Sequence, residues 1–466
     1  MTKEHLIWIG AGLAATMFGV LVALGASGTA IAFWTVIDGE LVWFAQSISV
    51  DLVILLAILG ALLMTAIGWS MRTVADEKWL PTWVIIGFAA KLGGTLARFY
   101  MVTVVYGLGD SFGYYRTGTE LATQWRQGRI PELTGIGSLG RQVVEAITGG
   151  LFAIVTPGML GGFIMFAMIT YLGQLLLYAA FRRHAKPHQL KPYAILIFLL
   201  PTYSFWPSSI GKDAIVLLAL GVCAYFAARI FEAFEIRWLF GLALALGALG
   251  VVRIHVAGLV AGALIVTTLI AKVPTRGDPV IALRRLIVLG SGLVAGLLVL
   301  AVFSDIFGID ITSTQDLDGL TADIVRRTSQ GGTIGAGGFV TSPADIPGAL
   351  SHVLFRPFLF EASEIQHYIA AIETTIFVGL TIWKLPAMGR NIRNWRSNPY
   401  IVFSTFYTIG FAVMFSVIRN IGIITRQRGQ VLAFFLCVVI GLGWEEKPRV
   451  SPMSRVTPEQ TSSAVD

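Results

Sequence analysis

Long apolar runs broken by short polar joints set the pattern of this chain. The runs fall at 6–33, 50–71, 80–108, 158–181, 192–207, 213–231, 237–252, 256–272, 285–306, 366–384, 399–418 and 428–444. A helix needs roughly 20 mostly apolar residues to cross about 30 Å of hydrocarbon. The pattern therefore predicts an all-α fold, a polytopic transmembrane helix bundle of about twelve spans. Several middle runs are short, which suits half-length or tilted helices lining a polar cavity. A further apolar stretch, 143–155, is followed by Thr-Pro-Gly and reads as an interfacial or re-entrant helix; counted as a span, it would invert everything downstream. The first run is about twice the length of a signal-peptide core of roughly 7–15 residues, so an uncleaved first span is expected.

Composition agrees. Of 466 residues, 55% are hydrophobic and 13% charged, against about 25% charged in a soluble domain. Most of the surface must face something other than water. A net charge of +7 raises the possibility of nucleic acid, but the basic residues sit in the joints, as they do when Lys and Arg fix membrane orientation. With a cytoplasmic N-terminus, the clusters at 182–191, 272–285 and 384–396 share the cytoplasmic side. The expectation is a multi-pass protein of a bacterial inner (plasma) membrane with both termini cytoplasmic. Cys223 and Cys437 lie within apolar runs and read as small core residues, with no disulfide framework or thiolate metal site.

One transmembrane domain, 1–444, is expected, followed by a disordered cytoplasmic tail at 445–466 rich in Ser, Thr and Pro. Two long extracytoplasmic loops interrupt it, about 109–142 and 307–365. The first carries an amphipathic, interfacial helix around 119–126, with Leu121 and Trp125; the second holds a Gly-rich stretch at 330–339. Loops of this length are commonly lids or binding loops.

The polar residues that break the apolar pattern gather at the extracytoplasmic ends. Asp110 opens Gly109-Asp-Ser-Phe-Gly-Tyr-Tyr115; a half-desolvated carboxylate there can act as general base toward a hydroxyl, or it is an ordinary solvated helix-end turn. Tyr114 beside it can stack on a sugar. The stretch Leu200 to Asp213 carries Pro201, Pro207 and a Lys-Asp pair. Its prolines break the helix and expose backbone groups. Lys212 can meet a phosphate and Asp213 suits a helix N-terminus, or the whole is a structural turn. Gly211-Lys212 is not a P-loop, because the second glycine spacing and the following Ser/Thr are missing. Arg253 and His255 separate two short apolar runs; a central Arg costs about 2.5–3.5 kcal/mol to insert, so it either faces a counter-anion or snorkels to headgroups. No partner at ligand spacing makes His255 a metal ligand. Arg419, Arg426 and Arg428 crowd one outer loop against the positive-inside trend, which points to a bound anion with phosphate favoured, or to anionic lipid headgroups. Arg356 ends the long loop. Glu373, deep in a span, should face the bundle interior and pair with Lys91 or Arg98.

Several of these segments resemble one group of proteins. Gly109-Asp110-Ser-x-x-Tyr114, Phe205-Trp-Pro-Ser-Ser-Ile-Gly-Lys-Asp213, Leu354-Phe-Arg-Pro-Phe358 and Asn420-x-Gly-x-x-x-Arg-Gln-Arg428 resemble bacterial integral-membrane glycosyltransferases of the GT-C type and O-antigen-polymerase-like proteins, over roughly 85–440. The resemblance implies transfer of sugar units from a polyprenyl-(di)phosphate-linked donor to a glycan acceptor at the extracytoplasmic face, in cell-envelope polysaccharide biosynthesis. It gives Asp110 the role of catalytic base. Substrate-binding roles are expected for Tyr114, Lys212, Asp213, Arg253, His255, Arg356, Arg419, Arg426 and Arg428. Metal dependence varies within that group, so the resemblance assigns no divalent metal and the sequence supports none; no other cofactor and no nucleic-acid partner is expected. The other reading is a transporter or flippase of lipid-linked saccharides, which should show mid-membrane charges and a two-fold repeat of spans.

Overall fold

The computed structural model describes residues 30–37, 40–47, 77–107, 109–129, 139–155, 158–272, 342–362 and 365–445, with positions 63, 290 and 340. The spans expected at 50–71 and 285–306, most of 6–33, the Gly-rich stretch and nearly all of the tail lie outside these residues.

The described chain is a helical bundle with one added hairpin. Strands β1 (Ala30–Ile37) and β2 (Glu40–Ser47) pair antiparallel, with Ile37 opposite Glu40. β1 takes the place of the helix expected to run through residue 33, while the rest of the described bundle is helical, as expected. Aromatic and β-branched residues fill both segments, and Asp38-Gly39 lies between them; Asp-Gly between such runs is a strong two-residue hairpin signal.

The helices are α1 (Leu80–Tyr100, continued by the π-helical turn Met101–Tyr106), α2 (Asp110–Arg126), α3 (Leu139–Ile154), α4 (Met159–Arg182), α5 (Pro187–Leu199), α6 (Pro201–Phe205) and α7 (Lys212–Glu232). Then come α8 (Ile236–Ile270), α9 (Ile346–Leu354), α10 (Ile365–Asn391), α11 (Pro399–Phe415), α12 (Ile421–Arg428) and α13 (Leu432–Gly443). Among the described residues, five helices are long and apolar enough to cross a membrane, or six when the bent pair α12–α13 is taken as one span.

Contacts sort the bundle into two ends. At one, Glu77 meets Tyr178 and Arg182, Arg183 meets Glu232, Asn398 donates to the carbonyl of His184 at 2.8 Å, and Gln189 donates to that of Gly441 at 2.9 Å. Lys78, Lys186, Lys191 and Arg237 sit at the same level. We call this the basic end. The opposite end gathers the start of α2, the 206–213 turn and α12, and we call it the site end.

Helix α8 is not one rod. At Arg253 its backbone leaves helical geometry (φ −147°, ψ 87°), and both halves return to the basic end. Trp238 lies under Arg229 at the foot of α7, whereas Arg396, next to Asn398, donates to the carbonyl of Ile270 at 2.9 Å. Between these anchors, Gly241 packs on Phe226, and the Gly410 position lies against Leu259. The two halves are thus antiparallel, with Arg253 at the apex on the site end. They match the runs at 237–252 and 256–272.

Small residues let the helices close up. A Cβ on Gly221 would lie 2.5 Å from the carbonyl oxygen of Gly173, so α4 and α7 touch backbone to backbone, as small residues allow in membrane bundles. Gly94 plays the same part between α1 and the α5–α6 break, where a Cβ would sit 2.2 Å from the carbonyl of Ser204. The two carbonyls orphaned at that break find donors. Pro201 has no N–H for the carbonyl of Ile197, and Gln174 Nε2 supplies the donor at 2.7 Å. Pro207 likewise cannot serve Tyr203, whose carbonyl accepts from Lys91 Nζ at 2.7 Å. In a dry interior each such orphaned group costs several kcal/mol, so these two fully buried polar side chains are what make the proline turn tolerable. Thr170 fixes its far side by donating to the carbonyl of Pro207 at 2.7 Å.

The segment at 143–155, read as interfacial or re-entrant, belongs to α3. It runs parallel to α2: Gly113 faces Arg141, Gly118 faces Thr148, and Arg126 reaches the carbonyls of Phe152 and Ala153. Both helices start at the site end, and Gly140 brings α3 close to the carbonyl of Val252 at the α8 apex.

Candidate functional site

Two turns separated by a hundred residues of sequence meet at the site end. Ser111 Oγ, one residue into α2, donates to the carbonyl of Ile210 at 2.9 Å. Asp110 and Lys212 are thereby neighbours across the junction, and the Tyr114 ring lies against Gly211. Asp110 is exposed at the first position of α2. Tyr114 is buried; burial first, then the charge of Asp110, pushes its hydroxyl up to about 12. Arg141, paired to Glu145 at 2.8 Å, closes the flank of this junction.

Beneath it lies a carboxylate held by two arginines. Asp213, in the first turn of α7, takes Arg253 Nη2 on Oδ1 at 2.5 Å and Arg426 Nε on Oδ2. The α8 apex and α12 are thus fastened to the head of α7. Arg253 also donates to Gln427, which accepts from Gln430 as well. Asp213 and Arg253 are largely buried, whereas the Arg426 side chain keeps 31% of its surface open. With both oxygens bound to guanidinium groups, Asp213 is poorly placed to accept a proton. Asp110 is open, and its charge acts on Lys212, Arg141 and Arg426.

A further cation belongs here that the sequence reading placed elsewhere. Arg98 lies on α1 two helical turns beyond Lys91. Its guanidinium carbon sits 5.4 Å from the centre of the Phe205 ring and 5.1 Å from that of Trp206. Arg426, Tyr106 and Asp213 are its electrostatic neighbours. Arg98 does not pair with Glu373, and neither does Lys91. The signal was available: two charges seven residues apart fall on one face of a helix, aimed at the segment whose prolines orphan carbonyls.

The other expected site residues divide as follows. His255 lies beside Arg253 at the apex, its ring 5.9 Å from Phe415. Arg419 is exposed after α11. Arg356 is clasped locally by Glu361, Nη2 to Oε1 at 2.5 Å and Nε to Oε2 at 3.1 Å. Burial alone would raise the Glu361 carboxyl, but the hydrogen bonds from Arg356 and the Phe358 N–H hold it below the usual range.

Arg428 corrects the expected grouping of three arginines. It has no exposed surface and points away from Asp213. Its Nη1 donates to the Arg356 carbonyl at 3.0 Å and to Thr374 Oγ1 at 2.8 Å, and its Nη2 meets Glu373 at 3.3 Å. Glu373 in turn accepts from the Thr202 N–H at 3.1 Å and from its hydroxyl at 2.5 Å, capping α6. A cation so buried takes the nearest anion and carbonyls as its solvation shell, leaving none of its charge for a ligand. Among the described residues, no group of three or more His, Cys, Asp or Glu side chains could hold a metal ion.

No protein-family model, curated protein or solved structure matches this chain.

Proposed function

We propose that this protein is a membrane glycosyltransferase or polysaccharide polymerase acting on lipid-linked sugars at the site end. The observation that carries the reading is the junction itself. It joins one open carboxylate, Asp110, to four cations, Lys212, Arg98, Arg253 and Arg426, with Arg253 and Arg426 sharing the carboxylate of Asp213. Asp110 takes the proton of an acceptor hydroxyl. The acceptor oxygen bonds to the anomeric carbon of the donor sugar, and the bond from that carbon to the phosphate oxygen breaks. The leaving phosphate departs with the electron pair, stabilised by the surrounding cations.

In the same reading the basic end is cytoplasmic, since Lys and Arg concentrate in its short joints. The membrane is a bacterial inner membrane, crossed about twelve times, and both termini are cytoplasmic. The α5–α6, α8 and α12–α13 breaks favour a second reading, transport of lipid-linked saccharides, because discontinuous helices near charged groups are a transporter feature.

One experiment separates the two. Purified protein in nanodiscs is given a polyprenyl-linked oligosaccharide, and products are scored for chain growth; proteoliposomes score movement without bond change. Asp110→Asn should cut transfer on the order of 100- to 10,000-fold at unchanged protein level. Full activity in that variant removes Asp110 as the base.

A further inference from the structure

Arg98 is out of place as a structural residue. It is 7% exposed, and among the described residues neither Nε nor Nη1 has a hydrogen-bond partner. The other deeply buried arginines at the site end each bond a carboxylate: Arg428 bonds Glu373, Thr374 and a carbonyl, with its Nε alone left without a partner among the described residues, and Arg253 bonds Asp213 and Gln427. Burying a guanidinium without an anion costs several kcal/mol, because water's solvation is lost and nothing replaces it. Two aromatic faces recover part of that, but an aromatic face binds the plane of the group and leaves its edge N–H donors unused. Those donors are the fork that grips carboxylate and phosphate oxygens.

We infer that Arg98 is the floor of a phosphate subsite, with Arg426 as its second cation. Arg426 spends Nε on Asp213 and keeps part of its surface open, and its charge acts on Arg98, which lies over the 205–206 rings. Phosphate fits better than carboxylate, since it brings more oxygens and a charge that two forks can share. The flank of α1 adds an apolar approach. Leu96, Tyr100, Val104 and Val105 are all about half exposed on the helix that carries Arg98, and a phosphate borne on a long hydrocarbon would find both chemistries together. This deepens the glycosyl-transfer reading by assigning the donor's phosphate a place, and it rests on that reading only for the donor's identity. Glu373 is not involved, and Lys91 is committed to the carbonyl of Tyr203.

The test is binding, measured without turnover. Wild type and Arg98→Gln, in nanodiscs of neutral lipid, are titrated with polyprenyl phosphate, with the uncharged polyprenol and with inorganic phosphate, following Trp206 fluorescence and native mass spectrometry. Polyprenyl phosphate should bind wild type, polyprenol should not compete, and Arg98→Gln should weaken binding on the order of 10- to 100-fold. If inorganic phosphate alone binds in an Arg98-dependent way, the subsite stands and its source is a soluble phosphate. Melting of the ligand-free protein supplies the second readout: Arg98→Met should keep or raise the melting temperature, because an unsolvated charge is removed. A fall in melting temperature with unchanged phosphate binding would make Arg98 a packing residue and overturn the proposal. Asp110→Asn should bind polyprenyl phosphate at least as tightly as wild type while losing transfer, so a failed transferase reading and a failed subsite give different results.

Discussion

Arg426 and Arg428 stand two residues apart on α12 and belong to different regions. At 100° per residue they point about 200° apart around the helix. Arg428 faces inward, sealed with Glu373, Thr202 and Thr374 into a knot that ties α6, α10 and α12 together. Arg426 faces the junction of α2 and α7, where it shares Asp213 with Arg253 and keeps part of its surface open. The first region sets one cation against one carboxylate, Arg428 against Glu373. In the second, cations outnumber carboxylates and Arg98 has donors to spare. A balanced, dry cluster holds helices in register. An unbalanced one beside solvent retains charge that a bound anion would neutralise.

Removing one partner from each cluster sharpens that contrast. Glu373→Ala leaves Arg428 buried without its carboxylate and uncaps α6, and should cost about 3–5 kcal/mol, read as a large drop in melting temperature and in membrane yield. Replacing both partners by Met should recover much of the loss. If Glu373→Ala is thermally silent, the knot is not structural. Asp213→Asn should cost less, about 2 kcal/mol, because Arg426 and the junction remain partly hydrated. It should also raise phosphate affinity by freeing two guanidinium groups while misplacing them for transfer. Loss of phosphate affinity in that variant would mean the carboxylate, not the cations, organises the site. The smallest effect is expected from Tyr114→Phe. An acid whose hydroxyl is raised to about 12 stays protonated through pH 6–10, so wild type and variant should show parallel pH profiles of activity. A basic limb near pH 10 that disappears in the Phe variant would show that Tyr114 titrates within that range.

How much of this was legible follows the same divide. The apolar runs from 80 onward that lie within the described residues coincide with helices, and the break between 252 and 256 is the α8 apex, where a polar pair interrupts two short apolar runs. Asp110, Lys212 and Asp213 stood out as polar residues at helix ends. The outer-loop arginines could be counted but not sorted, since their directions depend on where α12 begins, and Asn420 sets that by accepting the Ile423 N–H at 3.2 Å. Glu373 was expected to meet Lys91 or Arg98 because all three lie within spans; instead the prolines claimed Lys91, and Arg428 lay closer. The hairpin at 30–47 was masked by its own hydrophobicity, which extends an apolar run into residues of high strand propensity. Gln174 drew no attention, a lone amide in an apolar helix whose task exists only because Pro201 is opposite.

Hydropathy and the placement of Lys and Arg in the joints determined by themselves that this chain is a helical bundle with apolar flanks, and marked the ends where polar residues concentrate. Those are one-dimensional properties, set by the cost of taking charges and unpaired backbone groups out of water. Which charges pair is a three-dimensional matter. A salt bridge forms between groups brought within a few ångströms, and close approaches at Gly94, Gly140 and Gly221 decide which groups those are. Only the folded arrangement could show that Arg428 is paired with Glu373, that Asp213 is taken, and that Arg98 is left with donors to offer.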